Sequence, residues 1–479
     1  MRTFLLFSLT AVLLCSVACM VGPNYKQPAA PAPQTFKEPL PEGWKEAQPN
    51  DSAIRGKWWE VYNDPQLNAL VEQVSITNQN VLEAEANFRA ARYAIRIARA
   101  SLFPTVGASP TIQTQRSATP LPGESGVYTT YSLPVAASWP VDIWGAVRRN
   151  VHAAEATAQS DYALLENARL SYQSELAQDY FELRGTDGDI DLLTTTVKSY
   201  EDYLTLTQNR YKSGVASGAD VAQAETQLDT TKAQLIDLGV ARAQYEHAIA
   251  VLVGKPPAEL TLPSGLLKTP PPVTPVAVPS ALLERRPDIA AAERQMAAIQ
   301  EQIGIAVAAF YPSLDLSASL GFGPAEFTKG FLWPSRVFAV GAASSETIYE
   351  GGKRRAQVKQ AQALFDSSVA SYRETVLTAF QQVEDDLAAL RILADESAAT
   401  ALAVKAAKEA LDISTYQYKA GTVNYLQVIT SQAAYLGAEE TAVNLLARRM
   451  VSSVLLIQAM GGGWDNKNIP SASDLTQSR

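Results

Sequence analysis

Two stretches without proline, from about Gly145 to Tyr211 and from Gly352 to Tyr418, constrain this chain more than anything else in it. Each is compatible with helix throughout, and at 1.5 Å per residue each makes a rod of roughly 100 Å. An ordinary globular domain cannot bury a helix that long, so the two are expected to pack side by side in a coiled-coil-like array. Steps of three and four residues support this. Leu193, Val197, Tyr200, Leu204, Thr207 and Tyr211 form one seam; Phe365, Val369, Tyr372, Val376, Ala379, Val383, Leu390 and Leu393 form another, broken at Asp386. Gly185-Thr186-Asp187-Gly188 lies inside the first rod and is expected to unwind it locally or change its winding. Each rod ends in a Tyr-Lys-small-Gly turn, at Tyr211 to Gly214 and at Tyr418 to Gly421, where glycine suits the left-handed residue that closes a helix. Returning helices are expected over about 220–252 and 425–460.

Ahead of each rod the hydrophobic period changes from 3.6 to 2. A helix from Asp64-Pro65 to about Phe103 is broken by Pro104, and Val106, Ala108 and Ile112 then alternate with small or polar residues. After a loop at Ser117 to Gly126, Tyr131, Leu133, Val135, Ala137, Trp139 and Val141 take one face of a second strand. The second half repeats the programme. A helix opens at Arg286-Pro287-Asp288 and breaks at Tyr311-Pro312; Leu314, Leu316, Ala318, Leu320 and Phe322 alternate, and a weaker strand follows near Val337 to Tyr349. Breaks, rod starts and tips recur at an offset of about 207 residues, the signature of a tandem duplication.

Strands of about ten residues, apolar on one face and small or polar on the other, have the pattern of lipid-facing barrel strands. Four cannot close a barrel, and an open sheet in lipid leaves backbone groups unpaired at several kcal/mol each. The strands are therefore expected to join those of other chains: two copies supply the minimum of about eight, and three supply twelve, enough for an open lumen. A soluble sandwich attached to an ordinary coiled coil is the alternative that the pattern alone leaves open.

Both cysteines, Cys15 and Cys19, lie in the first twenty residues, so the body has no disulfide or Cys-metal framework. Arg2 followed by the apolar run Phe4 to Cys15 reads as an export signal, too short for a membrane span. Ser16-Val17-Ala18-Cys19 is similar to the lipobox of bacterial lipoproteins, which implies acylation of Cys19, with Met20 at the next position favouring the outer membrane; cleavage nearby without acylation is the simpler alternative. Beyond residue 18 no apolar run is expected to span a membrane as a helix. The net charge of -9 lacks the basic footprint of a nucleic-acid binder. His152 and His247 stand alone in helical sequence, and there is no phosphate loop, usable Ser-His-Asp order or metal-ligand cluster, so no enzyme activity, metal or cofactor is expected beyond the lipid on Cys19.

Gly22-Pro23-Asn24-Tyr25, Arg285-Arg286-Pro287-Asp288, the paired tips and the closing Gly461-Gly462-Gly463-Trp464 together resemble the TolC family of outer-membrane factors, in its NodT-type lipoprotein branch. The resemblance implies a mainly α fold with a membrane β-barrel: a homotrimer with four strands and long coiled-coil helices per chain. It implies a passive exit duct for drugs, toxic compounds or metal ions, docked on a periplasmic adaptor and an inner-membrane pump. A protein secretion duct is an alternative cargo class. A lipid-anchored coiled-coil spacer without a pore is an alternative function, although a spacer has no use for the alternating strands. The expected divisions are a signal over 1–18, a lipidated tether over 19–60, repeats over 61–254 and 287–464 separated by a connector over 255–286, and a tail over 465–479.

By the same resemblance Asp220 and Tyr418 tie neighbouring hairpins in a shut aperture; on residue chemistry alone they are a helix cap and a seam residue. Family constrictions carry carboxylates where this chain has Gln427 and Thr430, and Leu426 matches an apolar ring. The implied gate is thus uncharged, with weaker selection for cations. Arg210, Lys212, Gly214, Lys419 and Gly421 are the candidates for adaptor docking, against the simpler reading of Lys212 and Lys419 as cations at helix C-termini.

Overall fold

The computed structural model describes residues 20–31, 33, 35–39, 56–116, 127–273, 283–325 and 333–476. Along the chain run α1 (Pro65–Thr77), α2 (Gln79–Ala100), β1 (Thr105–Ala108), β2 (Thr111–Arg116), β3 (Val127–Pro140), α3 (Ala146–Lys212) and α4 (Gly218–Leu252). The second repeat supplies α5 (Pro287–Ala308), β4 (Ser313–Ala325), β5 (Arg336–Ser345), α6 (Lys353–Ala420) and α7 (Tyr425–Ala459), and the tail adds the short α8 (Ala472–Thr476). The rods α3 and α6 span 67 and 68 residues. Near the sheet they are flanked by α2 and α5, and towards the tips by α4 and α7, so a four-helix layer continues over the whole rod length.

The expected first helix is two helices. Asn78 stops α1 by leaving helical geometry (ψ 124°) and starts α2, its side-chain oxygen accepting from the backbone N–H groups of Asn80 and Val81. Its amide also donates to the Leu252 carbonyl at the end of α4. The expected unwinding at Gly185 to Gly188 does not occur, and α3 is continuous there. These glycines serve close approach instead: a Cβ on Gly185 would lie 2.7 Å from Ala447 Cβ, and one on Gly188 would lie 2.8 Å from a Val443 methyl of α7. Between them Asp187 binds Arg184 (2.7 Å), Arg242 of α4 (2.8 Å) and the Gly265 N–H (2.9 Å), which pins the connector to the rods.

The first expected strand is also interrupted. β1 and β2 both pair with β3, and the break falls at Ser109-Pro110, where proline supplies no donor. The lateral order is β1 and β2 together, then β3, β4 and β5, all antiparallel. The register aligns Val106, Ala137, Ala318 and Val340 in one row, and Ala108, Val135, Leu320 and Phe338 in the next; the opposite face carries Gly107, Ala136, Ser319 and Ala339. β5 ends at Ser345, short of the expected Tyr349. The loops expected at 117–126 and around Lys329 lie largely or wholly outside the described residues.

One further expectation needs correction. α7 reaches the length and mean hydropathy (1.2) of a membrane-crossing helix, but half of that window is buried against the protein. Its apolar residues are core: Val454, Leu456 and Ile457 join Leu176, Phe181, Val383 and Leu387 in the main hydrophobic cluster. The seams follow expectation at Leu193, Tyr200, Thr207, Tyr372, Val376, Ala379 and Val383, all buried, whereas Tyr211 is exposed.

Replacing Gly188 by leucine should push α3 from α7. Overpacking of this kind costs about 1–3 kcal/mol, so the unfolding midpoint should fall while Gly239→Leu, in open space on α4, leaves it unchanged; thermal unfolding by circular dichroism makes the comparison.

Candidate functional site: the duct and its tip

Chain reversal at each tip follows from its glycine. Gly214 (φ +75°) and Gly421 (φ +78°) adopt left-handed geometry. They allow Val215 N–H to close on the Arg210 carbonyl (2.8 Å) and Thr422 N–H on that of Gln417 (3.0 Å). Ser217 and Asp220 form a capping box: Asp220 N–H donates to Ser217 Oγ (3.1 Å), and Ser217 N–H to Asp220 Oδ2 (2.9 Å). Asn424 caps α7 by accepting from Gln427 N–H (3.3 Å).

Leu426, Gln427 and Thr430 stand exposed on the first turns of α7, Leu426 at 53 %. The Thr430 hydroxyl donates to the Leu426 carbonyl (2.9 Å), so it is satisfied on its own helix. Tyr418 is buried, its ring 5.3 Å from that of Tyr425 and its hydroxyl 3.3 Å from Thr207. Within one protomer Asp220 is thus a helix cap and Tyr418 a seam residue. Lys212, Gly214, Lys419 and Gly421 are exposed at the very tip, while Arg210 is half-buried and engaged with the opposite hairpin. His152 and His247 are exposed, and among the described residues no cluster of His, Cys, Asp or Glu is arranged to hold a metal ion.

The inner wall is set by what covers the outer one. Tyr180 donates to Asp64 of α1 (2.6 Å), and Arg184 to the Pro263 carbonyl of the connector (2.7 Å), so this side of α3 faces outward. At 3.6 residues per turn Glu175, Glu182 and Asp189 fall on the other side. Desolvation, with Glu175 and Glu182 alongside, pushes the Asp179 carboxyl up to about 6; desolvation and Glu440 do the same to Asp189. Sequence reading missed this acidic band, which shows only when carboxylates are counted by helix face. Its tip-side end, Asp189 beside Glu440, lies about 15 Å along α7 from Thr430, by ten residues at 1.5 Å each.

Asp386, the break in the second seam, is likewise desolvated and raised to about 7, with Asp385 adding to the shift and Arg286 opposing it.

At the other end Cys19 falls outside the described residues, but Met20 does not. It packs on Gly145 (φ +82°), and Val21 N–H donates to the Trp144 carbonyl (3.2 Å). Arg149, fully buried, donates to the carbonyls of Val21 (2.7 Å) and Gly22 (3.1 Å) and to Glu301 (2.7 Å). Trp144 stacks on Tyr311 at 4.6 Å and donates to the Pro312 carbonyl (2.8 Å). The tether therefore starts where strands become helices, beside an aromatic cluster typical of a membrane–water boundary.

Known proteins match this arrangement over nearly its whole length. The model of a family described as outer membrane efflux protein matches residues 70–255 and 278–462, one segment per repeat. The chain belongs to this family. Among curated members it is 30 % identical to outer membrane protein OprJ of Pseudomonas aeruginosa over 467 residues, covering 96 % of both chains. It is 29 % identical to the toluene efflux pump outer membrane protein TtgC of Pseudomonas putida over 468 residues, covering 97 % of this chain and 96 % of TtgC. Of solved structures, the outer-membrane channel OprN superposes with a TM-score of 0.84 at 28 % identity, covering 93 % of this chain and all of OprN. The open-state MtrE outer membrane channel of Neisseria gonorrhoeae gives 0.81 at 26 %, covering 94 % and 99 %. The fold is that of the TolC-like channels, and the protein is an outer-membrane efflux channel.

Asp386 permits a test outside the membrane. Its folded pKa is raised, so the folded state holds the proton more tightly than the unfolded chain, and stability falls as pH rises from about 4 to about 7. Asp386→Asn should leave stability near pH 4 unchanged and raise it at pH 8 by on the order of a few kcal/mol, seen as a flatter plot of unfolding midpoint against pH.

Proposed function

We propose that this efflux-family protein works as a homotrimeric, lipid-anchored exit duct, shut at its periplasmic tips, which passes small apolar or amphiphilic toxic molecules delivered by a pump and its adaptor. The observation that carries the reading is the sheet. Its face with Val106, Leu320, Phe338 and Val340 is apolar and exposed, Phe338 and Val340 at 80 % and 82 %, and has no protein core to cover it. Among the described residues, β1 with β2 at one side and β5 at the other end the sheet without further strand partners. A lipid solvent accounts for the face, and three copies edge to edge account for the edges.

The tips lie at the far end of rods that start at the sheet; in this reading they reach into the periplasm and hold the aperture. Leu426, Gln427 and Thr430 form an uncharged constriction there, with Asp220 and Tyr418 beside it. Lys212, Gly214, Lys419 and Gly421 offer exposed charge and backbone to an adaptor. Glu175, Asp179 and Glu182 line the bore above, with Asp189 buried against α7 below them. The cargo class follows the relatives, one of which is named for toluene efflux. Nothing in the duct calls for chemistry: the residues that distinguish it line, close or dock.

For the anchor, the reading is supported by Met20, the first described residue, which packs on Gly145 at the strand–helix junction. Cys19→Ser should abolish incorporation of labelled palmitate, and mass spectrometry should find the mature chain without a lipid adduct.

The pore is tested by single-channel recording of the full-length protein in planar bilayers. The wild type should conduct little, while Leu426→Gly and Thr430→Gly should conduct more; silence from every variant, with insertion of an intact trimer confirmed, would favour a non-conducting spacer.

A further inference from the structure

The end of α3 and the end of α6 are joined by three successive contacts between the repeats. Tyr203 meets Thr415 hydroxyl to hydroxyl at 3.0 Å, Thr207 meets Tyr418 at 3.3 Å, and Arg210 reaches the last turn of α6. Positions 203, 207 and 210 share one helix face. Arg210 makes the last of the three. Its guanidinium carbon lies 4.6 Å from the centroid of the Tyr418 ring, and its Nη1 donates to the Lys419 carbonyl at 3.2 Å. The ring it covers is already fixed against Tyr425, so the cation is clamped on a rigid surface. Among the described residues Asp220 makes no hydrogen bond with the other hairpin, although its charge is felt by Tyr425; its carboxylate closes the capping box on Ser217.

We propose that Arg210, not Asp220, is the positioning residue that latches the two hairpins of one protomer in the shut tip. The inference rests on the reading of the tips as the aperture of a trimeric duct. The duplication extends it. At an offset of 207 residues Arg210 corresponds to Gln417, and Tyr418 to Tyr211. In a closed ring the second hairpin of one protomer adjoins the first of the next, so the pseudo-equivalent contact there pairs a neutral amide with a tyrosine that is 54 % exposed in the single chain. At these paired positions the repeats are unequal: inside a protomer a cation lies on an aromatic face, and the pseudo-equivalent positions hold an amide and a tyrosine.

The test is single-channel recording of the full-length trimer with Arg210→Gln, Arg210→Lys, Asp220→Asn and, as a widened reference, Leu426→Gly. Arg210→Gln should raise the open population by about five-fold or more. Arg210→Lys, which keeps the charge without the planar fork, should fall between it and the wild type, and Asp220→Asn should open the channel less than Arg210→Gln does. Melting temperature should stay constant across the set. The proposal is overturned if Arg210→Gln conducts as wild type while Leu426→Gly conducts freely, if Asp220→Asn opens the channel as widely as Arg210→Gln, or if Arg210→Gln opens it only together with a loss of trimer stability. If Leu426→Gly is silent too, it is the duct itself that fails.

Discussion

Unpaired backbone at the two sides of the sheet governs the rest of this molecule. In water those edges would hydrate at little cost; in hydrocarbon each open N–H or C=O costs several kcal/mol, and closing the sheet on copies of itself is the remedy open to a chain with this few strands. The helices inherit the consequence. α3 starts six residues after β3 ends, and α6 eight residues after β5, so whatever symmetry closes the strands is imposed on the rods. The helical layer thus continues the barrel, and its end 100 Å away becomes the natural place for a gate.

A layer that long needs local devices to stay in register, and they differ along it. Near the sheet a buried guanidinium organises the junction. Arg149 gathers the tether and Glu301 of α5, and it fits because Gly304 leaves room: a Cβ there would lie 2.2 Å from Arg149 Cδ. At mid-height Asp187 holds the connector and α4 against α3 through two arginines. Breaking either node strands a buried charge, which costs more than the pair contributes when intact. At the tip, packing thins to Tyr418, Tyr425, Ala224 and Val428, and single polar contacts decide which helices stay together. Among the described residues the buried apolar cluster at the tip is far smaller than the one at mid-height.

Much of this was legible in the sequence. Rod length, tip glycines and the change of period required nothing but helix and strand geometry, and the duplication showed as a constant offset. The face pattern of the strands proved right because a one-residue slip would have inverted it, which makes period 2 a strong signal. Failures cluster where one residue type serves two ends. Gly185 and Gly188 read as helix breakers, but a helix anchored at both sides tolerates glycine, and the missing Cβ lets α7 approach. Asn78 looked like an ordinary helix residue because a cap is recognised by the break it makes, and no proline marked that break. The hydropathy of α7 was underrated for a related reason: a helix packed on several sides is apolar nearly all round, as a membrane span is.

The site was less legible than the fold, and the tip shows why. Asp220 and Tyr418 were singled out by position, but position in a motif does not say which neighbour a side chain finds. Ser217 stands three residues before Asp220, and a local capping box forms without ordering any distant part of the chain. A contact with the other hairpin must compete against that. Tyr418 lacks such a local partner and is left to the opposite repeat, where Arg210, at the end of a long flexible stem, reaches both its ring and the carbonyl beyond it. An acid that can cap its own helix makes a poor latch, and a cation whose helix offers it no partner makes a good one. Duplication supplied two near-identical tips, and the divergence of Arg210 from Gln417 and of Asp220 from Gln427 made the two sides of each hairpin unequal.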